Sequence, residues 1–160
     1  VRDAGTGRTV RRCSWFAQTF SEHFLLDAVR GGEIALPAGT VTEPFADVAA
    51  KVLTEPGHTG QLYELTGPRL LSFADAAADI SAASGRDVRY VPVSAAEFAA
   101  GAAAQGVPED EVGALVELFG RVLDGRNASL TTDVERVLGR PATDFADYAR
   151  DAAATGVWAR

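Results

Sequence analysis

A chain of 160 residues with 47% hydrophobic and 23% charged residues has the composition of an ordinary globular protein, long enough to bury one core. Its net charge of −7 at pH 7 argues against nucleic acid as a partner. One cysteine and two histidines exclude an internal disulfide and leave little for a metal site, and no apolar run reaches the length of a membrane span.

The charge is uneven: Arg2, Arg8, Arg11 and Arg12 stand against Asp3 at the start, so the acidity lies downstream. Lys51 is the only lysine and alanine is abundant, the bias of a GC-rich bacterial genome. The opening residues carry no signal-peptide core, which predicts a cytoplasmic protein. Gly5-Thr6-Gly7 lacks a buried strand before it, a third glycine, and an amphipathic helix after it, so it is not read as a dinucleotide loop.

Residues 8–12 read as a short strand leading into Cys13-Ser14-Trp15-Phe16-Ala17-Gln18-Thr19-Phe20-Ser21-Glu22-His23-Phe24. Phe20, Phe24 and Ala28, four apart, with Leu25 and Val29 beside them, predict one helix stopped at Gly31-Gly32. Aromatic side chains with a few polar tips at a strand-to-helix junction line either a small-molecule pocket or a packed core corner. Residues 33–36 predict a strand and residues 46–53 a helix. Pro56-Gly57-His58-Thr59-Gly60 is a turn, with His58 exposed. Residues 61–66 alternate as a strand.

Ser72 with Asp75 forms a capping box opening a helix to about Ala83, stopped by Gly85. Residues 88–93 are a strand ending near Pro92. Ser94 with Glu97 opens a second capped helix. Pro108 and the acidic run Glu109-Asp110-Glu111 start the clearest helix, striped by Val112, Leu115, Val116, Phe119, Val122 and Leu123 and ended by Gly125. Thr132 is the predicted cap of a short helix through Leu138. Thr143 is the predicted cap of the last, whose inner face is Phe145, Tyr148, Ala149 and Ala152. Strands alternating with helices give an α/β class with a small, mostly parallel sheet. Residues 1–160 are read as one domain.

Neither Tyr63 nor Tyr90 has a lysine four residues on, and no Ser/His/Asp order supports a hydrolase triad. Cys13 is read as a buried, inert thiol, and Asn127-Ala128-Ser129 as a chance sequon. Glu43 and Asp47 flank Pro44-Phe45 closely enough to supply a general base, or simply form a polar loop and helix start.

Several stretches together resemble NmrA-like proteins, atypical short-chain dehydrogenases that include NAD(P)H-dependent quinone and azo reductases. They are Cys13 through Glu22, Ala35-Leu36-Pro37-Ala38-Gly39, Glu43-Pro44-Phe45, Gln61-Leu62-Tyr63-Glu64-Leu65-Thr66-Gly67-Pro68 and Leu71-Ser72-Phe73, in that order. The resemblance covers nearly the whole chain but only the C-terminal, substrate-binding half of the family fold. It implies a truncated Rossmann-like fold with several flanking helices, lacking the glycine-rich nucleotide loop. Two further departures stand out. The strand before Cys13, apolar in the family, is arginine-rich here, as suits an edge that must not pair with another chain. An acidic segment after the position of Phe45 also looks deleted.

Three functions compete. The first expectation is a cofactor-free enzyme that keeps the family's substrate pocket. It would perform redox-neutral cyclisation, isomerisation or dehydration of a flat, largely apolar, polyketide-like compound. By resemblance Trp15, Phe16, Gln18 and Phe20 line that pocket, with Leu118 and Phe119 on a lid, and Asp47, Glu43 or His23 moves the proton. The alternative is an NAD(P)H-dependent oxidoreductase whose NADPH is supplied through another chain. The third is a non-catalytic binding module. A homodimer is expected, covering the side that the missing half would occupy.

Overall fold

The computed structural model describes residues 10–13, 15–22, 24–38, 42–43, 62–125 and 127–159; of 10–13 and 42–43 it describes the backbone alone. Strand β1 (Val10–Cys13) and a strand far along the chain at Leu62–Leu65 lie parallel, with Val10 opposite Leu62 and Cys13 opposite Leu65. In chain order the strands are β2 (Glu33–Leu36), β3 (Thr42–Glu43), β4 (Leu62–Leu65), β5 (Leu71–Ser72) and β6 (Arg89–Pro92). The second parallel pair is β2–β6, and β3–β5 is antiparallel. The α/β class and the dominance of parallel pairing therefore hold, in three two-stranded ladders among the described residues.

Seven helices surround these ladders in the described residues: α1 (Thr19–Glu22), α2 (Leu26–Gly31), α3 (Phe73–Ser84), α4 (Ala95–Ala104), α5 (Glu109–Val122), α6 (Asp133–Leu138) and α7 (Phe145–Ala154). Both capping boxes form. Asp75 N–H donates to Ser72 Oγ at 3.1 Å while Ser72 N–H donates to Asp75 Oδ2 at 2.9 Å, and Ser94 and Glu97 repeat the pattern. These reciprocal bonds satisfy helix-start N–H groups that nothing inside the helix can reach. The main core gathers Phe20, Val29, Ile34, Leu36, Phe73, Ile80, Phe119, Phe145 and Trp158. A second cluster packs Val134 and Val137 of α6 on Tyr63 and Leu65 of β4, and Arg136 lies over the Tyr63 ring at 4.9 Å.

Four local expectations change. The helix expected from Phe20 to Ala28 is two short helices, α1 and α2. Phe20 is enclosed by Phe73 and Phe145, whereas Phe24 turns out to meet Trp15 and Phe119. One uninterrupted helix would have held Phe20 and Phe24 on the same face. Thr132 makes no capping bond to α6: its backbone is not extended (φ −99°, ψ 11°). The last helix is capped by Asp144 rather than Thr143; Ala146 N–H donates to Asp144 Oδ1 at 2.9 Å. Arg69 fixes that aspartate with a two-pronged bond, Nε to Oδ2 at 2.7 Å and Nη2 to Oδ1 at 2.9 Å. Finally α5 stops at Val122, and its C-cap Leu123 (φ −97°, ψ 42°) leaves helical geometry before Gly125.

Gly32 does stop α2, in the left-handed conformation with φ +86°. A Cβ there would sit 2.9 Å from the Asp87 carbonyl oxygen, so both backbone angle and space require glycine.

Candidate functional site

In open α/β sheets, ligands bind beyond the carboxyl ends of the parallel strands. Strand β1 ends at Cys13, and the chain leaves it through Trp15 and Phe16 into α1. Trp15 is half-buried at this junction and is the centre of a ring cluster. Its indole meets Phe24 edge-on at 6.4 Å, Phe73 edge-on at 5.7 Å and Phe119 at 6.0 Å between centroids. The cluster extends from Phe119 to Phe98 at 5.3 Å and from Phe73 to Tyr90 at 5.9 Å. Tyr90 Oη donates to the Leu36 carbonyl at 3.1 Å, and burial pushes its pKa up. Side chains of α3, α4, α5 and β6 thus converge on the exit of β1.

Trp15 and Phe119, expected as site residues, are brought together. Phe20 and Phe119 are fully buried and act as core side chains. Phe16 and Leu118 are among the exposed large hydrophobic residues. Gln18 lines a different hollow, a shallow groove of about 310 Å³ with Ser21, Glu22 and Tyr148, where the hydroxyls of Ser21 and Tyr148 hydrogen-bond closely. Asp47 and His23 lie outside the described residues, as do His58 and Gly5-Thr6-Gly7. Glu43 is described as backbone alone, paired with Leu71. Phe24, Phe73, Tyr90 and Phe98, not among the expected site residues, complete the ring cluster. Only the place of Phe24 at the end of the stretch from Cys13 to Phe24 hinted at it; Phe73, Tyr90 and Phe98 arrive from distant elements.

The carboxyl end of β4 is polar instead. Thr131 N–H donates to Thr66 Oγ1 at 3.0 Å, Thr131 Oγ1 donates to the Glu64 carbonyl, and Glu64 N–H donates to Asp133 Oδ2 at 2.8 Å. Burial opposes ionisation of Asp133. The Glu64 N–H and the Arg136 guanidinium outweigh it and hold the carboxyl below its ordinary pKa. A cavity of about 700 Å³ opens beside this network, lined in part by Gly67, Leu130, Thr132 and Glu135. Nearby Arg69 also bonds Asp79 Oδ2 at 2.8 Å, tying the loop after β4 to α3 as well as α7. No group of metal-binding side chains occurs among the described residues.

The Trp15 cluster is thus an apolar, ring-lined junction, and the carboxyl end of β4 a polar one. No protein-family model matches the chain. It is 35% identical over 96% of its length to an NAD(P)H azoreductase from Xenophilus azovorans, of which it spans 56%. The NADPH-dependent quinone oxidoreductase of Escherichia coli, solved with NADPH, superposes with a TM-score of 0.78 at 26% identity, over 94% of this chain and 55% of that one. NmrA, a negative transcriptional regulator solved with NAD, shares the fold alone, with a TM-score of 0.58 at 18% identity over 97% of this chain and 56% of that one. The chain's curated relatives also include an agroclavine dehydrogenase from Claviceps fusiformis, at 31% identity over 92% of this chain and 54% of that one. The chain spans about half the length of the curated relatives it matches. Among the described residues no helix is long and apolar enough to cross a membrane.

Proposed function

We propose that residues 1–160 form the C-terminal, substrate-binding domain of an NmrA-like NAD(P)H-dependent oxidoreductase that reduces a flat, largely apolar acceptor such as a quinone or azo compound. The observation that carries this is the Trp15 ring cluster, set directly after the carboxyl end of β1 in a chain 35% identical to an azoreductase. The expectation of a redox-neutral cyclase or isomerase finds no support among the relatives, whereas the reductase alternative does.

The described residues do not fit a dinucleotide pyrophosphate. Such a site needs glycines that let the backbone approach the phosphates, and a helix N-terminus aimed at them. The turn after β1 instead carries Trp15, Phe16 and Gln18, and α1 is one turn long. NADPH would therefore be held by a nucleotide-binding half outside these residues. Glu43, Asp47 and His23 remain the proposed proton-handling groups. Asp47→Asn should lower turnover about a hundredfold if it is the general acid or base.

The test is reconstitution. The chain alone should show no NADPH oxidation with a quinone or azo dye. The same chain joined to, or mixed with, the nucleotide-binding half of the azoreductase should show acceptor-dependent oxidation. Absence of activity in a reconstituted, folded protein that binds NADPH would overturn the reading.

A further inference from the structure

The polar group of the cluster that remains to be accounted for is the indole N–H of Trp15. Its nitrogen is buried, and among the described residues no acceptor meets it. The other tryptophan shows the usual solution: Trp158 Nε1 donates to the Phe20 carbonyl at 2.9 Å. A buried donor without an acceptor is destabilising, and native proteins keep few of them. A phenylalanine at position 15 would supply a ring without that cost. Its place also matters. Trp15 stands at the carboxyl end of β1, where a ligand is expected, and in contact with rings on three sides.

We infer that Trp15 Nε1–H is a specificity-determining donor, which selects acceptors carrying a carbonyl oxygen or azo nitrogen over plain aromatic hydrocarbons of the same shape. This rests on the reductase reading and deepens it. Of the three rings touching the indole, Phe73 and Phe119 are buried, whereas Phe24 is 49% exposed. Phe24 is therefore the ring that yields to admit the ligand edge. The indole N–H then bonds the entering heteroatom, and the neighbouring rings stack or edge against its flat face. A site built to donate one hydrogen bond discriminates against analogues that leave the donor unpaired.

The experiment needs neither cofactor nor turnover, so its failure is distinct from failure of the reductase reading. The 160-residue chain is titrated with 1,4-naphthoquinone and, separately, with naphthalene, while the two indole N–H proton resonances are followed by NMR. Naphthoquinone should move the Trp15 indole proton downfield and leave the Trp158 proton in place, and naphthalene should not shift Trp15 downfield. Trp15→Phe should weaken naphthoquinone binding by roughly three- to tenfold, the range of one net hydrogen bond, with naphthalene affinity changed less than twofold. An unshifted Trp15 proton in wild type at saturating quinone would overturn the inference, whether or not the variant folds. Equal quinone affinity of wild type and Trp15→Phe would do the same.

Discussion

Replacing Asp144 tests how the loop after β4 is tied to the last helix. The carboxylate caps α7 through Ala146 N–H and takes both prongs of Arg69, which also holds Asp79 on α3. Removing an N-cap acceptor costs about 1 kcal/mol. The ion pair adds less than its geometry suggests, because the Arg69 side chain is 41% exposed and that of Asp144 30%, so solvent screens it to roughly 1 kcal/mol. Asp144→Ala should thus destabilise by about 2 kcal/mol, lowering Tm by roughly 4–8 °C for a domain of this size. Asp144→Asn keeps a cap acceptor and loses the charge, so it should cost about half as much. The pH dependence separates the two contributions. The hydrogen bonds from Arg69 hold the Asp144 pKa below its ordinary value. A lowered folded pKa gives stability that is present above the unfolded value of about 3.9 and is lost as pH falls through the folded value. The gap between wild type and Asp144→Asn should therefore be full at pH 7 and close below about pH 4. Thermal unfolding followed by circular dichroism from pH 2.5 to 7 measures it. A gap that stays constant to pH 2.5 would refute the ion-pair argument, and no gap at all would show that Arg69 contributes nothing through Asp144.

Other outcomes follow from single contacts. Gly32→Ala should destabilise by about 1–3 kcal/mol in urea unfolding, since φ +86° and the Asp87 carbonyl 2.9 Å away both oppose a Cβ. Trp158→Phe removes the indole hydrogen bond to the Phe20 carbonyl and should cost about 1 kcal/mol, read by the same method. Calorimetric titration of the chain alone with NADPH should give weak or no binding, and micromolar affinity would contradict a nucleotide site outside these residues. Light scattering should report a homodimer, near twice the 16.8 kDa chain mass; a mass near 17 kDa at micromolar concentration would exclude that expectation.

Local chemistry made much of this chain legible before its fold. Ser72 with Asp75 and Ser94 with Glu97 carry their capping partners three residues away, so the two helix starts depend on nothing distant. The stripe of α5 and the glycine stops at Gly32 and Gly85 are equally local, as periodicity and backbone freedom act within a few residues. Tertiary contacts decided the rest. Thr143 and Asp144 are both competent caps, and Arg69, 75 residues away from Asp144 in sequence, selects the aspartate. The helix periodicity of Phe20 and Phe24 yielded because Phe73, Phe145, Trp15 and Phe119 offered the two rings different neighbours. The same holds for the candidate site. Trp15 marked it in sequence, but Phe73, Tyr90 and Phe98 join it from separate elements, and sequence spacing carries no record of contacts made across a fold. The indole N–H of Trp15 is the sharpest instance, because whether a donor has an acceptor is a property of its three-dimensional surroundings and not of the residue itself.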